Sequence, residues 1–119
     1  MIAVLLLALA EVATPVVPAP AGDWIVDLTS KPGDSPYRQP MRLELKPDGT
    51  VTGKFYRSDI QAGRWKTDRK RTCVGFRTTD GAVPYHTAAC QTGGTVTGQT
   101  WAEHRNFLLN WNAVRGVLR

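Results

Sequence analysis

A short phrase occurs twice in this chain. Residues 48–56 read DGTVTGKFY and residues 93–101 read GGTVTGQTW, forty-five positions further on. In the first copy Val51, Gly53 and Phe55 alternate with polar residues, which is the two-residue period of a β-strand with one face turned to a core. Each copy begins within a turn signal, so each phrase predicts the returning arm of a β-hairpin. The repeat therefore indicates a strand-turn-strand unit that is used twice.

The segment before the first copy has the same period. In residues 41–46 (MRLELK), Met41, Leu43 and Leu45 fall on one face and three charged residues fall on the other. Residues 47–49 (PDG) then supply the turn. The two segments together predict an antiparallel hairpin that is buried on one side.

Strand periodicity extends over most of the chain, and short turns separate almost all of the strands. The eight predicted strands are residues 22–29, 41–46, 51–57, 61–67, 72–78, 85–90, 95–101 and 107–115. Eight antiparallel strands in chain order hide their edges by closing. We therefore expect an all-β fold, a single eight-stranded antiparallel up-and-down β-barrel, with a β-sandwich as the alternative. Gly53 and Gly98, at inward positions, would let the strands coil tightly.

The N-terminal region predicts export of one small domain. The chain has 119 residues, and residues 2–10 (IAVLLLALA) form an apolar run that is too short to span a bilayer and ends in an A-x-A cleavage signal. We expect a signal peptide over residues 1–10, with cleavage there or as late as residue 21, then a flexible leader over residues 11–21 and the barrel domain over residues 22–119. The expected location is periplasmic or secreted, with no transmembrane segment.

Cys73 and Cys90 are the only cysteines in the sequence. In an oxidising compartment such a pair is more often a structural disulfide than a redox-active pair or a metal site. It would close a loop of about seventeen residues, for which the chain-entropy model gives roughly 3 kcal/mol. Asp80 and Gly81 lie near the midpoint of this loop and predict a hairpin, which would place the two cysteines on neighbouring strands.

The ends of the predicted barrel resemble a known superfamily. Gly22-Asp23-Trp24 opens the first strand and Arg115 closes the last, and this arrangement resembles the calycin superfamily of lipocalins, fatty-acid-binding proteins and avidins. The resemblance implies that Trp24 packs near the barrel floor against Arg115, where a guanidinium stacked on an indole is favourable. The avidin branch is the most similar, over residues 24–30, 49–53, 97–99 and 111–115.

Biotin is not the ligand that this resemblance implies. Val26 stands where the avidins place an asparagine for the ureido oxygen, and Phe55 stands where they place a tyrosine. A buried carbonyl without those donors would lose about 1–3 kcal/mol per group. What the resemblance implies is the fold, together with some small ligand.

Two loops are expected at the barrel mouth. Residues 30–40 (SKPGDSPYRQP) contain three prolines and carry Tyr37 and Arg38, so they would form either a semi-rigid lid or an ordinary surface loop. Tyr85 and His86 follow the second turn and bring polar tips to it.

The sequence contains four tryptophans, which are large enough to pack in the core or to contact a ligand. Trp24 and Trp111 fit core packing better than ligand contact, whereas Trp65 and Trp101 leave core and surface roles open. The candidate ligand-binding residues are Tyr37, Arg38, Phe55, Trp65, Tyr85, His86 and Trp111. His86 and His104 have no nucleophile and carboxylate at a recognisable spacing, so we expect no enzyme, no cofactor and no metal site.

The chain is basic, with 15 Lys and Arg against 10 Asp and Glu. A basic cluster surrounds one predicted turn and consists of Arg64, Lys66, Arg69, Lys70 and Arg71. It is either a solvated hairpin tip or a contact surface for a protein partner or an anionic surface, and export makes nucleic acid the least expected partner.

Two classes of function fit these patterns. The first is an exported calycin-like barrel that holds a small hydrophobic or amphipathic ligand. The alternative is a periplasmic protein-binding module similar to the metalloprotease inhibitors, in which the leader at residues 11–21 would enter a protease cleft. A cavity that opens at the mouth favours the first class, and a solidly packed interior favours the second.

Overall fold

The computed structural model describes residues 20–118, and nine β-strands account for most of them. The strands are β1 (Gly22–Asp27), β2 (Arg38–Leu45), β3 (Thr50–Phe55), β4 (Ser58–Asp59), β5 (Gln61–Asp68), β6 (Arg71–Thr79), β7 (Pro84–Thr92), β8 (Thr95–Ala102) and β9 (Phe107–Arg115). A three-residue 3-10 helix, Glu103–Arg105, lies between β8 and β9. The expected signal peptide and most of the expected leader lie outside the described residues.

Eight of these strands close into an antiparallel barrel. Each strand pairs with the next along the chain, β2 pairs with β3, and β1 pairs with β9, so that the ring has no open edge. The two-residue strand β4 stands outside the ring and pairs with the end of β3. The predicted eight-stranded up-and-down barrel is thereby confirmed, and the β-sandwich alternative is wrong. The architecture is compatible with a calycin-like fold.

The inward face follows the predicted alternation. Met41 and Leu43 are buried on β2, and their neighbours Val51 and Phe55 are buried on β3. The core consists of Trp24, Val26, Leu28, Met41, Leu43, Val51, Phe55, Val74, Phe76, Ala89, Val96, Trp111 and Ala113. β3 ends at Phe55 because Tyr56 and Arg57 both adopt positive φ and reverse the chain.

The repeated phrase explains how one large side chain fits inside the barrel. Gly98 in the second copy pairs with Trp111 of β9 and with Ala89 of β7. A Cβ at Gly98 would lie 2.5 Å from Cζ2 of Trp111 and 2.8 Å from the Ala89 Cβ. In the first copy, a Cβ at Gly53 would meet the backbone oxygen of Arg42 instead. Both glycines are therefore sites of close approach, one to a ring and one to a neighbouring strand.

The predicted disulfide is present on the outer face of the barrel. Cys73 of β6 lies directly opposite Cys90 of β7, and their sulfur atoms are 2.05 Å apart. The inward neighbours Val74 and Ala89 are buried, so the disulfide lies on the opposite face of the two strands. The turn at residues 80–83 joins these strands, as the Asp80-Gly81 signal predicts.

One end of the barrel is filled by Trp24. Its indole is 1 % exposed, its Nε1 donates a hydrogen bond to the Pro20 carbonyl at 2.8 Å, and the Arg115 guanidinium carbon lies 4.3 Å from its ring centre. Trp65 lies near the same end, where its Nε1 donates to the Lys46 carbonyl at 2.7 Å. Over residues 20–118 there is no helix of the length and apolar character that a membrane crossing requires.

Candidate functional site

The opposite end of the barrel opens into a cavity of about 460 Å³. It lies beneath the loops that join β1 to β2, β3 to β5, β6 to β7 and β8 to β9. The residues that line it are Leu28, Ser30, Tyr37, Phe55, Tyr56, Ser58, Thr78, Thr79, Asp80, Tyr85, Thr100, Arg105, Phe107 and Leu109. A cavity of this volume is within the range that small-molecule sites occupy in proteins.

Aromatic and aliphatic side chains form the inner part of the cavity. Phe55 is 4 % exposed, and its ring lies 5.6 Å from that of Phe76 and 5.5 Å from that of Trp111. Two apolar side chains also line this part: Leu28, which follows β1 on its inward face, and Leu109 of β9. The Phe55 ring is held between core rings on one side and faces the cavity on the other, so it forms a rigid apolar floor.

Buried hydroxyl groups add a polar spot to this floor. Thr100 Oγ1 accepts a hydrogen bond from Trp111 Nε1 at 2.9 Å and shares another with Thr87 Oγ1 at 2.9 Å. Thr78 also lines the cavity and is 5 % exposed. Within the described part of the chain its hydroxyl has no hydrogen-bond partner, so it is available to a group that enters the cavity.

A polar cluster built on Asp80 lies at one side of the rim. Asp80 Oδ1 accepts hydrogen bonds from the backbone N–H groups of Ala82 and Val83 at 2.8 and 2.9 Å. Its Oδ2 accepts one from Arg105 Nη2 at 2.7 Å and one from the Tyr85 hydroxyl at 3.1 Å. We call Asp80, Tyr85 and Arg105 the rim cluster. It ties the β6–β7 turn to the short helix that precedes β9.

These contacts fix the charge states of the rim cluster. The Val83 backbone N–H, the Arg105 guanidinium and the Ala82 backbone N–H hold the pKa of Asp80 far below its ordinary value of 3.8. Asp80 in turn, with Tyr85, raises the pKa of Arg105. Both groups are therefore ionised at neutral pH.

Local sequence explains why the rim cluster forms. Gly81 has a φ of 96°, which lets the turn after Asp80 bring two backbone N–H groups to the carboxylate. Asn106 has a φ of 51° and ends the short helix, so that the chain turns directly from Arg105 into β9. Phe107, the first residue of β9, then packs edge to face on Tyr85 with ring centres 6.2 Å apart.

Three of the predicted ligand-binding residues line the cavity. They are Tyr37, Phe55 and Tyr85, which come from different parts of the chain. Trp111 lies beneath the cavity in the core, at 3 % exposure, where it contacts the lining residues Phe55 and Thr100. The structure thus brings the predicted set together in part.

The other predicted residues lie elsewhere. His86 is on the outer face, where its ring stacks on Trp101 with centres 5.4 Å apart. Arg38 also faces outward, beside a surface depression that it shares with Ile25 and Val114. Trp65 lies toward the end of the barrel that Trp24 fills, away from the cavity.

The proline-rich loop does not cover the mouth as a whole. Its ends are held by backbone and side-chain contacts: the Leu28 N–H donates to the Tyr37 carbonyl at 2.8 Å, and the Tyr37 N–H donates to Thr29 Oγ1 at 3.0 Å. Ser30 and Tyr37 line the cavity, whereas the prolines at 32 and 36 border the outer depression. The loop therefore forms one wall of the mouth.

The basic cluster lies on and beside the β5–β6 hairpin, away from the cavity. Arg69 and Lys70 form its turn with φ values of 49° and 64°. Lys66 has one exposed ion pair, with Asp68 at 3.5 Å. This exposed pair contributes little to stability. The five basic residues of the cluster stand against one acidic residue, Asp68, so the hairpin is a cationic surface.

Sequence patterns do not reveal most of the cavity. Leu28, which follows β1, and Leu109 in β9 are ordinary inward residues, and only their position near a strand end points to the mouth. Arg105 is 25 residues from Asp80 in sequence, and no local motif connects them. The Asp80-Gly81 signal predicts a turn, but it does not indicate that the Asp80 carboxylate lies at a site.

Comparisons with known proteins add no relative from which a role could be carried over. No protein-family model, curated protein or solved structure matches this chain significantly.

Proposed function

We propose that this protein is an exported calycin-like barrel that binds a small amphipathic ligand in the mouth cavity. The observation that carries the proposal is the division of the cavity into an apolar inner part and a rim that carries the charged residues Asp80 and Arg105. Phe55, Leu28 and Leu109 offer an apolar surface to a ligand, while Asp80 and Arg105 lie at the entrance. A ligand with one apolar end and one polar end matches this division.

The energetics favour such a ligand over a wholly polar one. Burial of apolar ligand surface against the Phe55 floor contributes about 25 cal/mol per Å² removed from water. A polar group buried in the same place would need partners, and among the described residues the inner part offers little beyond the hydroxyls of Thr78 and Thr100. A polar head therefore stays at the rim.

Export is supported by the disulfide between Cys73 and Cys90. Disulfides persist in oxidising compartments and are rare where cytosolic thiols keep cysteines reduced. The alternative of a protease-inhibitor-like module rests on residues 11–21, most of which lie outside the described residues. The open cavity supports ligand binding, since a module that acts through its leader has no need of one.

The test uses 1-anilinonaphthalene-8-sulfonate as a fluorescent probe. We expect the protein to bind the probe and the Leu109→Trp variant, in which a larger side chain fills the cavity, to lose most of the fluorescence increase. Leu108→Trp is the matched control, because Leu108 is the next residue of the same strand but is 60 % exposed on the outer face. Leu109→Phe provides a milder variant, and circular dichroism confirms folding.

Two results would contradict the proposal. The first is equal probe binding by the Leu109→Trp and wild-type proteins when both are folded. The second is that the wild-type protein retains no probe and no co-purified small molecule, as measured by native mass spectrometry before and after denaturation.

A further inference from the structure

The rim cluster has free hydrogen-bond donors, whereas its carboxylate has no free acceptor position. The Asp80 carboxylate accepts four hydrogen bonds, two at each oxygen. A carboxylate has about four acceptor positions, so Asp80 has none left for a ligand. The Tyr85 hydroxyl donates its only proton to Asp80. An ammonium or other donor-rich head would therefore find no free carboxylate in the rim cluster.

Arg105, in contrast to Asp80, still has hydrogen-bonding groups that a ligand can use. A guanidinium carries five N–H donors; among the described residues Arg105 directs its Nη2 to Asp80 and also interacts with the Tyr85 side chain, which leaves most of its donors free. Its side chain is 46 % exposed and lines the cavity. The remaining donors are in position to meet a head group that arrives from the cavity or from solvent.

The guanidinium is also held in place. Its contact with Asp80 is 2.7 Å long, and Asp80 is itself fixed by the backbone of the β6–β7 turn. A donor that is already ordered loses less conformational entropy when a ligand binds. A planar, charged fork of this kind suits the paired oxygens of a carboxylate, sulfate or phosphate.

From these contacts we propose that the head of the ligand is an oxyanion, bound by Arg105 while its apolar tail occupies the cavity above Phe55. Asp80 acts as a positioning residue: it orients Arg105 and does not contact the ligand. This inference rests on the proposed function, since it needs a ligand in the mouth cavity. It adds the chemical class of the head and the residue that selects it.

The test compares four probes with the same alkyl chain. They are decanoate, decyl sulfate, methyl decanoate and decylammonium, each measured by displacement of 1-anilinonaphthalene-8-sulfonate and by calorimetry. We expect decanoate and decyl sulfate to bind at least tenfold more tightly than decylammonium, and methyl decanoate to bind with intermediate affinity. The reason is that a hydrogen bond from Arg105 to a charged oxyanion is stronger than one to a neutral ester, and an ammonium head accepts none. Decanoate against decyl sulfate separates a carboxylate head from a sulfate-like one.

Two variants break the ion pair between Arg105 and Asp80. They distinguish direct contact of Arg105 with the ligand from an effect of the ion pair on the stability of the mouth. Arg105→Met removes the donors and should weaken decanoate binding about tenfold or more, while methyl decanoate binding changes much less. Asp80→Asn leaves the guanidinium but loses the ion pair that orients it, so decanoate binding should weaken less than in Arg105→Met, while methyl decanoate binding changes little. If both variants weaken both probes equally, Arg105 only maintains the mouth and the inference is overturned.

Failure of the inference differs from failure of the proposed function. If all four probes bind the wild-type protein equally, or decylammonium binds best, the cavity binds ligands but Arg105 does not select an oxyanion. If none of the four probes nor the fluorescent dye binds, the proposed function itself fails. Should Arg105→Met not fold, Arg105→Lys supplies the measurement, since it keeps the charge but loses the planar fork.

Discussion

Substitution of Gly98 by alanine tests how the barrel interior is packed. The new Cβ would lie 2.5 Å from Cζ2 and 2.7 Å from Cη2 of Trp111, and 2.8 Å from the Ala89 Cβ. All three atoms are inside the barrel, so relief requires movement of a buried ring. Such overpacking typically costs about 1–3 kcal/mol, and alanine recovers about 0.5–1 kcal/mol in a strand. We expect Gly98→Ala to lower the free energy of unfolding by about 1–2 kcal/mol.

Gly75→Ala is the matched control. Gly75 is also in the middle of a strand, but a Cβ there would meet only the Thr87 carbonyl oxygen, at an ordinary 3.8 Å. This variant should therefore be as stable as the wild-type protein or slightly more stable. In thermal unfolding each kcal/mol corresponds to roughly 4–8 °C for a domain of this size, so the two variants should differ clearly.

A double-mutant cycle identifies the ring that causes the strain. Trp111→Phe removes the outer ring carbons that the new Cβ would meet, although it also removes the hydrogen bond to Thr100. Gly98→Ala should cost less in the Trp111→Phe background than in the wild-type protein, by about 1 kcal/mol or more. If Gly98→Ala is as stable as Gly75→Ala, Trp111 does not occupy the barrel interior as described.

The disulfide and the rim cluster give two further predictions. The double variant Cys73→Ala, Cys90→Ala should lose roughly 3 kcal/mol of stability in chemical denaturation, and no loss would mean that the bond adds nothing to the closed barrel. Because the pKa of Asp80 is depressed in the folded state, its stabilising contribution is present above its unfolded value of 3.8 and is lost as the pH falls below it. The melting temperature should therefore fall more steeply in the wild-type protein than in Asp80→Asn between about pH 5 and pH 2; parallel profiles would refute this.

The architecture was predictable because strands have a local signature. Alternation in residues 41–46 and in the repeated phrase fixes which face is inward, and eight such strands in chain order have edges that only closure removes. The cysteine pair was predictable for the same reason, since one turn signal sets the register that places Cys73 opposite Cys90. The extra strand β4 was not predicted, because it depends on positive φ at Tyr56 and Arg57.

The cavity was less predictable because it is formed by residues that are distant in sequence. Whether Phe55 fills the interior or forms the floor of a cavity depends on how far Trp111 reaches, which depends on the missing side chain at Gly98. The contact of Arg105 with Asp80 depends on the left-handed Asn106, which ends a three-residue helix that has no periodic pattern. His86 lay near the expected mouth in sequence, but its strand phase turns it outward onto Trp101.

The most direct test of the central claim, that the mouth cavity holds an amphipathic ligand, is a two-dimensional amide NMR titration of the protein with decanoate. We expect saturable shifts concentrated at the mouth, around Phe55, Asp80 and Leu109, with little change around Trp24 and Lys70 at the other end. Shifts confined to the outer face around Trp101, or no saturable shifts at all, would contradict it.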